Sequence, residues 1–277
     1  MIKIITDSSS LYTIEEGEKI GIDALPLCVS IGANHYRDLQ VDMDIFYRQI
    51  EEQGIPISSQ PPLGEVLDAY HRYEGQTIIN ITMADGLSGT YDTACSARQM
   101  SDNCDDITVF NSRTLCGPHR YMVEQAQMMV EAGSSYEMIM ARLEHLRDSA
   151  VSFLIPQDFA FLRRGGRLTP LAATFGSLLN LKPIMTTTPD GKRLDKFGIG
   201  RTLSSAIKHI IKYMKLQEIG DNYILYISHA AALCDALKVQ ELFKEAFGKM
   251  EIQLLELSPA FVTQGGPQCI AIQYVER

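Results

Sequence analysis

Short apolar runs alternate along the chain with stretches whose apolar residues recur every three or four positions. Ile2 to Thr6 reads as a buried strand ending in the polar turn Asp7-Ser8-Ser9-Ser10. Thr13 to Ile20 reads as a short helix, with Thr13 as its cap and Glu15 and Glu16 in its first turn. Ala24 to Ile31 and Asn34 to Tyr36 suggest a hairpin about Gly32, and Asp44 to Glu52 a helix capped near Asp42. A polar loop, Ile57 to Pro62, precedes a helix over Leu63 to Tyr73. Thr77 to Thr82 is a strand, Met83 to Gly89 a loop, Thr90 to Met100 a helix and Ile107 to Phe110 a strand. Helices over Gly117 to Ala132 and Tyr136 to Ser149 follow. Strand–helix alternation of this kind predicts an α/β fold with a parallel, doubly wound sheet. Ligands of such sheets sit where loops leave the carboxyl ends of strands, which directs attention to Asp7–Ser10, Ser58–Gln60 and Asp85–Thr90.

The second half has a different texture. Val151 to Ile155 is a strand, Leu171 to Leu179 a strongly apolar helix, and Ile184 to Thr188 with Lys192 to Phe197 a hairpin turning at Pro189-Asp190-Gly191. Thr202 to Leu216 is a helix with apolar spacing at Ile207, Ile210, Ile211 and Met214. Strand, helix, strand and strand follow at Tyr223–Ser228, Ala231–Phe247, Glu251–Leu257 and Ile270–Val275. Two α/β domains are expected, 1–150 with a mainly parallel sheet and 151–277 with a mixed sheet and helices, and segments of the two can interleave.

The 277 residues are 45% hydrophobic and 21% charged, which suits a folded globular chain with a sizeable core. No run of 18 apolar residues predicts a spanning helix. The first residues reach Asp7 without the apolar stretch of a signal peptide, so a cytoplasmic location is expected. The net charge of −9 argues against nucleic acid as a partner. No two of the six cysteines are spaced C-x-x-C and no histidines H-x-x-x-H, so no metal site is expected. The cysteines read as reduced, small apolar residues.

Three polar loops carry candidate chemistry. Asp85-Gly86-Leu87-Ser88-Gly89-Thr90-Tyr91 opens a helix with hydroxyls and backbone N–H groups, an arrangement suited to a carboxylate or phosphate and equally able to serve as a helix cap. It misses the G-x-S-x-G elbow because Thr90 stands at the second glycine, so Ser88 is not read as a nucleophile. Ser58-Ser59-Gln60-Pro61 offers two hydroxyls and an amide, or simply a helix start. Thr263-Gln264-Gly265-Gly266-Pro267 offers the same groups, or simply a turn between strands. Arg163, Arg164 and Arg167 around Gly165-Gly166 suit phosphate, a partner's acids, or solvent. His229 reads as a structural histidine. Met83, Met122, Met128, Met129, Met138 and Met140 read as core, or as the flexible wall of an acyl site.

Taken in order, these segments resemble the DegV family, whose members include the fatty-acid-binding subunits of bacterial fatty acid kinase. The resemblance rests on Ile4-Ile5-Thr6-Asp7-Ser8-Ser9, Ser58-Ser59-Gln60-Pro61 and Leu87-Ser88-Gly89-Thr90-Tyr91. It continues through Gly165-Gly166-Arg167-Leu168, Leu178-Leu179-Asn180-Leu181-Lys182-Pro183-Ile184, Ile227-Ser228-His229-Ala230 and Gly266-Pro267. It implies two α/β domains of the EDD fold and a non-enzymatic carrier that encloses a long-chain fatty acid of about C14–C20 between or beneath them. The bound acid is its only ligand, with no cofactor and no metal. A separate kinase would phosphorylate the bound carboxylate to feed phospholipid synthesis. The carboxylate ligands implied are Ser58, Ser59, Ser88, Gly89, Thr90, Thr263 and Gln264, and the partner-binding residues Arg164, Arg167 and Arg201. A monomer with transient membrane contact is implied.

The chain departs from the family pattern in three places. Ser58 replaces a threonine and keeps the hydroxyl. Ala84 and Asp85 replace paired serines. Gln264 stands where the family has histidine, and glutamine donates a hydrogen bond without carrying charge. Gln264 and Asp85 keep open an enzyme acting on a small acidic metabolite, and the arginines keep open a regulatory module.

Overall fold

The computed structural model describes residues 1–174 and 181–277. They form two compact units, Met1–Asp148 with Ser258–Ala260, and Ser149–Leu257 with Phe261–Arg277.

The first unit begins with β1 (Ile2–Asp7), α1 (Ile14–Lys19), β2 (Asp23–Leu25), β3 (Cys28–Ile31), β4 (Asn34–Arg37), α2 (Met43–Gln53) and β5 (Ile57–Ser59). It continues with α3 (Leu63–Arg72), β6 (Thr77–Thr82), α4 (Thr90–Met100), β7 (Ile107–Asn111), α5 (Cys116–Glu131) and α6 (Tyr136–Ser149). Caps fall where the sequence placed them. Thr13 and Glu16 form a reciprocal capping box on α1, and Asp42 accepts the N–H of Ile45 at the start of α2. Four strands make a fully parallel sheet in the order β2-β1-β6-β7, as the alternation predicted. Strand β6 is buried along nearly its whole length, as an inner parallel strand is. Ile5, Ile78, Ile107, Val66, Tyr70, Ala94 and Ala97 pack into one core on a single face. Tyr70 brings its hydroxyl there only because Asn80 donates to it at 2.8 Å, while Ala94 O accepts from it at 3.3 Å.

Two expectations need correction here. The run Ala24 to Ile31 is not one strand. Pro26, with no N–H to give a ladder, divides it into β2 in the parallel sheet and β3 in a separate antiparallel sheet, β4-β3-β5. Ile57 to Ser59 is not loop but the edge strand of that small sheet, with Ser58 opposite Val29 and Ser59 opposite Cys28. Three residues with two serines carry too little pattern to read as a strand.

The second unit contains β8 (Val151–Ile155), α7 (Phe159–Gly165), α8 (Pro170–Ala173), β9 (Lys182–Thr187), β10 (Leu194–Gly200) and α9 (Leu203–Leu216). It ends with β11 (Tyr223–His229), α10 (Leu233–Phe247), β12 (Glu251–Glu256), α11 (Pro259–Gly265) and β13 (Ile270–Glu276), the first two residues of α11 belonging to the other unit. The sheet order is β10-β9-β8-β13-β11-β12, parallel only between β11 and β12, so the mixed sheet is as expected. Ile207, Ile210 and Met214 of α9 meet Phe153, Leu225, Ile227 and Phe243 in its core, and Ile211 packs at its margin. The β9–β10 turn is held by Thr188, whose hydroxyl donates to Asp190 at 2.6 Å and whose N–H donates to Arg193 O at 2.8 Å.

Thr263 to Gly265 is helical rather than a turn between strands, because the polar run Thr263-Gln264 continues the apolar start Ala260-Phe261-Val262. The apolar helix expected over Leu171 to Leu179 is described only as α8, and 175–180, including part of Leu178 to Ile184, lie outside the described residues. Met128 and Met138 are exposed at 61% and 59%, which removes them from any apolar wall, whereas Met83 and Met122 are buried. No helix among the described residues is long and apolar enough to cross a membrane.

Phe153 lies edge-on to Phe197 at 4.8 Å and to Tyr213 at 5.8 Å between ring centres. Truncation to alanine leaves a ring-sized cavity, so Phe153→Ala is expected to cost about 3–5 kcal/mol. Urea unfolding checks this, and a loss below about 1 kcal/mol would show that the aromatic cluster collapses freely.

Candidate functional site

Strands β2 and β6 lie on opposite sides of β1, so the carboxyl ends of β1 and β6 flank the switch point of the parallel sheet. Asp7 ends β1, and its carboxylate is buried. It accepts the N–H of Ser9 at 2.9 Å from its own loop and the N–H of Met83 at 2.9 Å from the loop after β6. One side chain thus ties the two loops together. His119 of α5 lies behind it. The ring donates from Nε2 to Ile81 O at 3.0 Å, which leaves Nδ1 to accept from the Ser9 hydroxyl at 2.7 Å. Complete burial holds its pKa below the ordinary histidine value, with Asp7 opposing that shift. This serine–histidine pair is sealed in the core and serves as structure.

The loop after β6 leads to Ser88, Gly89 and Thr90 at the start of α4. The Ser88 and Thr90 hydroxyls are 2.8 Å apart, and the Thr90 N–H donates to Ser88 Oγ at 3.3 Å. Gly89 is the N-cap residue and offers no side chain, so this helix start has no side-chain cap bond. The Gln60 amide packs over Gly89. A Cβ built there would meet Gln60 Oε1 at 3.2 Å. The end of β5, with Ser58 half-buried and Ser59 exposed, therefore adjoins the Ser88 loop inside the first unit. Hydroxyls, an amide and the positive end of a helix can together receive a carboxylate or phosphate oxygen.

In the second unit, Gln264 and the Gly-Gly-Arg segment adjoin each other. A Cβ on Gly165 would stand 1.9 Å from Gln264 Oε1, so the Gln264 side chain occupies the space that glycine leaves open. Gly166 ends α7 with φ +71°, a left-handed cap that suits glycine. Gln264 Nε2 donates to Thr263 Oγ1 at 3.1 Å, while its Oε1 is buried and accepts no hydrogen bond among the described residues. Arg163, Arg164 and Arg201 are exposed, and Arg167 folds back to donate to Gly165 O. His229 is buried and accepts the Ala232 N–H through Nδ1 at 3.4 Å, as a structural histidine does. Cys269 is also buried, and desolvation pushes its thiol up to about 12. No group of three or more His, Cys, Asp or Glu side chains that could hold a metal occurs among the described residues.

Sequence reasoning missed Asp38, a buried carboxylate bonded to Ser8 and Ser258, residues far apart in the chain. It also missed His119, which reads as one polar position on the apolar face of a long helix. No local signal marks either, since their partners lie 30 to 220 residues away in sequence.

Two measurements follow. Gly165→Ala pushes aside the Gln264 amide, the far end of a flexible side chain, and is expected to cost at most about 1 kcal/mol. Most of this should return in Gly165→Ala/Gln264→Ala, and purely additive losses would separate the two residues. His119 has a folded pKa below its unfolded one, so its stability contribution is complete above about pH 6.5 and lost as pH falls below that value. Urea midpoints at pH 7.5, 6.5 and 5.5 should show this loss in the wild type and a weaker one in His119→Asn. Equal pH slopes would assign the loss to other groups.

The family model described as "Uncharacterised protein, DegV family" matches residues 1–277. A DegV domain-containing protein of Staphylococcus aureus strain N315 is 30% identical over 279 aligned residues, covering 99% of this chain and 98% of that protein. Two solved structures share the fold. One is a DegV family protein from Thermus thermophilus described for its fatty acid binding, with TM-score 0.90, 25% identity, and coverage of 100% of this chain and 99% of that one. The other is DegV of Bacillus subtilis, described as a fatty acid binding protein, with TM-score 0.86, 28% identity and the same coverage. The chain belongs to the DegV family.

Proposed function

We propose that this protein is a non-catalytic carrier of a long-chain fatty acid, which it presents to a separate kinase. The observation that carries this reading is the hydroxyl-rich start of α4 at the sheet's switch point, in a chain whose structural relatives from T. thermophilus and B. subtilis are described as binding fatty acids. Ser58, Ser59, Ser88 and Thr90 supply hydroxyls to the carboxylate, and Gly89 supplies backbone. Thr263 and Gln264 are the head-group donors of the second unit. A half-turn of the Gln264 amide exchanges Oε1 for Nε2 and aims an N–H where the buried oxygen now lies.

The energetics favour a neutral donor set. About fourteen methylenes leaving water contribute on the order of 11 kcal/mol before binding entropy is subtracted. Burying the carboxylate bare would cancel much of that gain, so at least two donors must meet it. Hydroxyls and amides do so without carrying charge, and they leave one oxygen able to attack a phosphoryl group brought by the kinase. That oxygen forms the new P–O bond as the bond to the nucleotide's leaving phosphate breaks. No base is required, since the carboxylate is already ionised at neutral pH.

Arg164, Arg167 and Arg201 are proposed to receive the kinase. The stretch from Asp158 to Lys215 holds 11 Lys and Arg against 3 Asp and Glu in a chain of net charge −9, which favours an acidic partner surface.

Mass spectrometry of the purified protein, native and then solvent-extracted, tests the carrier reading. The expected result is one C14–C20 fatty acid per chain, released on denaturation. Ser88→Ala and Ser58→Ala should each weaken acyl binding by about tenfold to 150-fold, as expected for a lost hydrogen bond to a charged group. A protein that is empty and takes up no added fatty acid would overturn the reading. Full affinity in both variants would overturn the head-group assignment.

A further inference from the structure

Asp38 follows β4 and is 1% exposed. Its carboxylate accepts from the Ser8 hydroxyl at 2.6 Å, the Ser258 hydroxyl at 2.9 Å and the Ala260 N–H at 2.9 Å. Ser8 Oγ in turn accepts the Leu27 N–H at 3.1 Å, and the Asp38 N–H donates to Leu27 O at 2.8 Å. Ser258 immediately precedes α11, and Ala260 is the second residue of that helix. The first N–H groups of a helix have no partner within it and are met by a side chain or by water. Here one of them, the N–H of Ala260, is met by a carboxylate 222 residues earlier in the chain. Ser258–Ala260 accordingly groups with the first unit, although the chain on either side of it belongs to the second.

We propose that Asp38 is a positioning residue: its carboxylate caps α11 from outside the helix and fixes where the helix bearing Thr263 and Gln264 begins. The proposal rests on the head-group role given above to those two residues. Asp38 touches no ligand in this scheme and acts through the backbone of α11.

The clip has a signature that ordinary packing lacks. Burial pushes the Asp38 carboxyl up to about 6, against the opposing pull of its hydrogen bonds from Ser8, Ala260, Ser258 and Leu39. Nearby charges are engaged elsewhere. Asp7 receives Ser9 and Met83, and Arg37 donates to Pro26 O, Cys28 and Glu65. When the clip opens, Asp38 returns toward its ordinary value near 3.8. The proton is therefore held more tightly in the closed state. Closure is strongest in acid, weakens as pH rises from about 4 to 6, and is level above that. Full release between those values changes the opening constant by up to roughly 100-fold. His119 acts in the opposite direction on the stability of the folded chain, which its protonation lowers below about pH 6.5.

Amide hydrogen exchange on the full chain, followed by mass spectrometry from pH 4 to 8 and corrected for intrinsic rates, reads this directly on a peptide spanning 258–265. The wild type should show the opening constant rising with pH and then levelling. Asp38→Asn should lose that slope while β6 and β11 keep their protection. Ser258→Ala, which removes one bond and leaves the carboxylate, should keep the slope with about tenfold less protection. Asp38→Asn should also bind a C18 fatty acid at least tenfold more weakly at pH 7. An unchanged slope in Asp38→Asn, or a lost slope with full fatty acid affinity, would overturn the positioning role. Failure of the wild type to bind any fatty acid would sink the carrier reading instead, and the exchange profile would then decide the clip alone.

Discussion

The N-terminal unit depends on one buried carboxylate being satisfied. Asp7 ends the central part of a parallel sheet, where a negative charge out of water is costly unless donors surround it. Its donors are backbone N–H groups from two different loops, Ser9 after β1 and Met83 after β6. Meeting the electrostatic need of one side chain thus sets the starting point of the segment that reaches Ser88 and Thr90. The hydroxyl pair at the start of α4 inherits its place from that bond, and the edge strand β5 adjoins it where Gln60 covers Gly89.

The same economy recurs with different chemistry. His119 could have been a titrating base, since a serine hydroxyl lies 2.7 Å from it. Its other nitrogen is fixed on a strand carbonyl, and burial keeps it neutral. The arrangement gives rigidity to the loop after β1 and no accessible nucleophile. In the second unit, the space beside Gly165 is filled by its neighbour. The amide of Gln264 lies where a side chain at 165 would stand.

Much of this was legible in the sequence. The alternation of apolar runs and helical spacing was enough for the parallel sheet, and Thr13 and Asp42 marked their helix starts because capping is local. The Gly-Gly-Arg and Leu-Ser-Gly-Thr segments stood out because glycine and hydroxyl residues cluster where backbone turns sharply. What escaped was non-local. Pro26 split an apolar run that otherwise reads as continuous, and β5 was too short to show a period. The helix bearing Thr263 and Gln264 begins where Ala260 meets Asp38, which no window of neighbouring residues contains.

The C-terminal sheet carries a different consequence in its strand order. Strand β13, the last of its strands to be synthesised, lies in the middle, between β8 and β11. Until it emerges from the ribosome, β8 with β9 and β10 forms one half-sheet and β11 with β12 the other, each with an open edge. The sheet of this unit therefore closes only once β13 has emerged, and until then the nascent chain must keep two open edges apart.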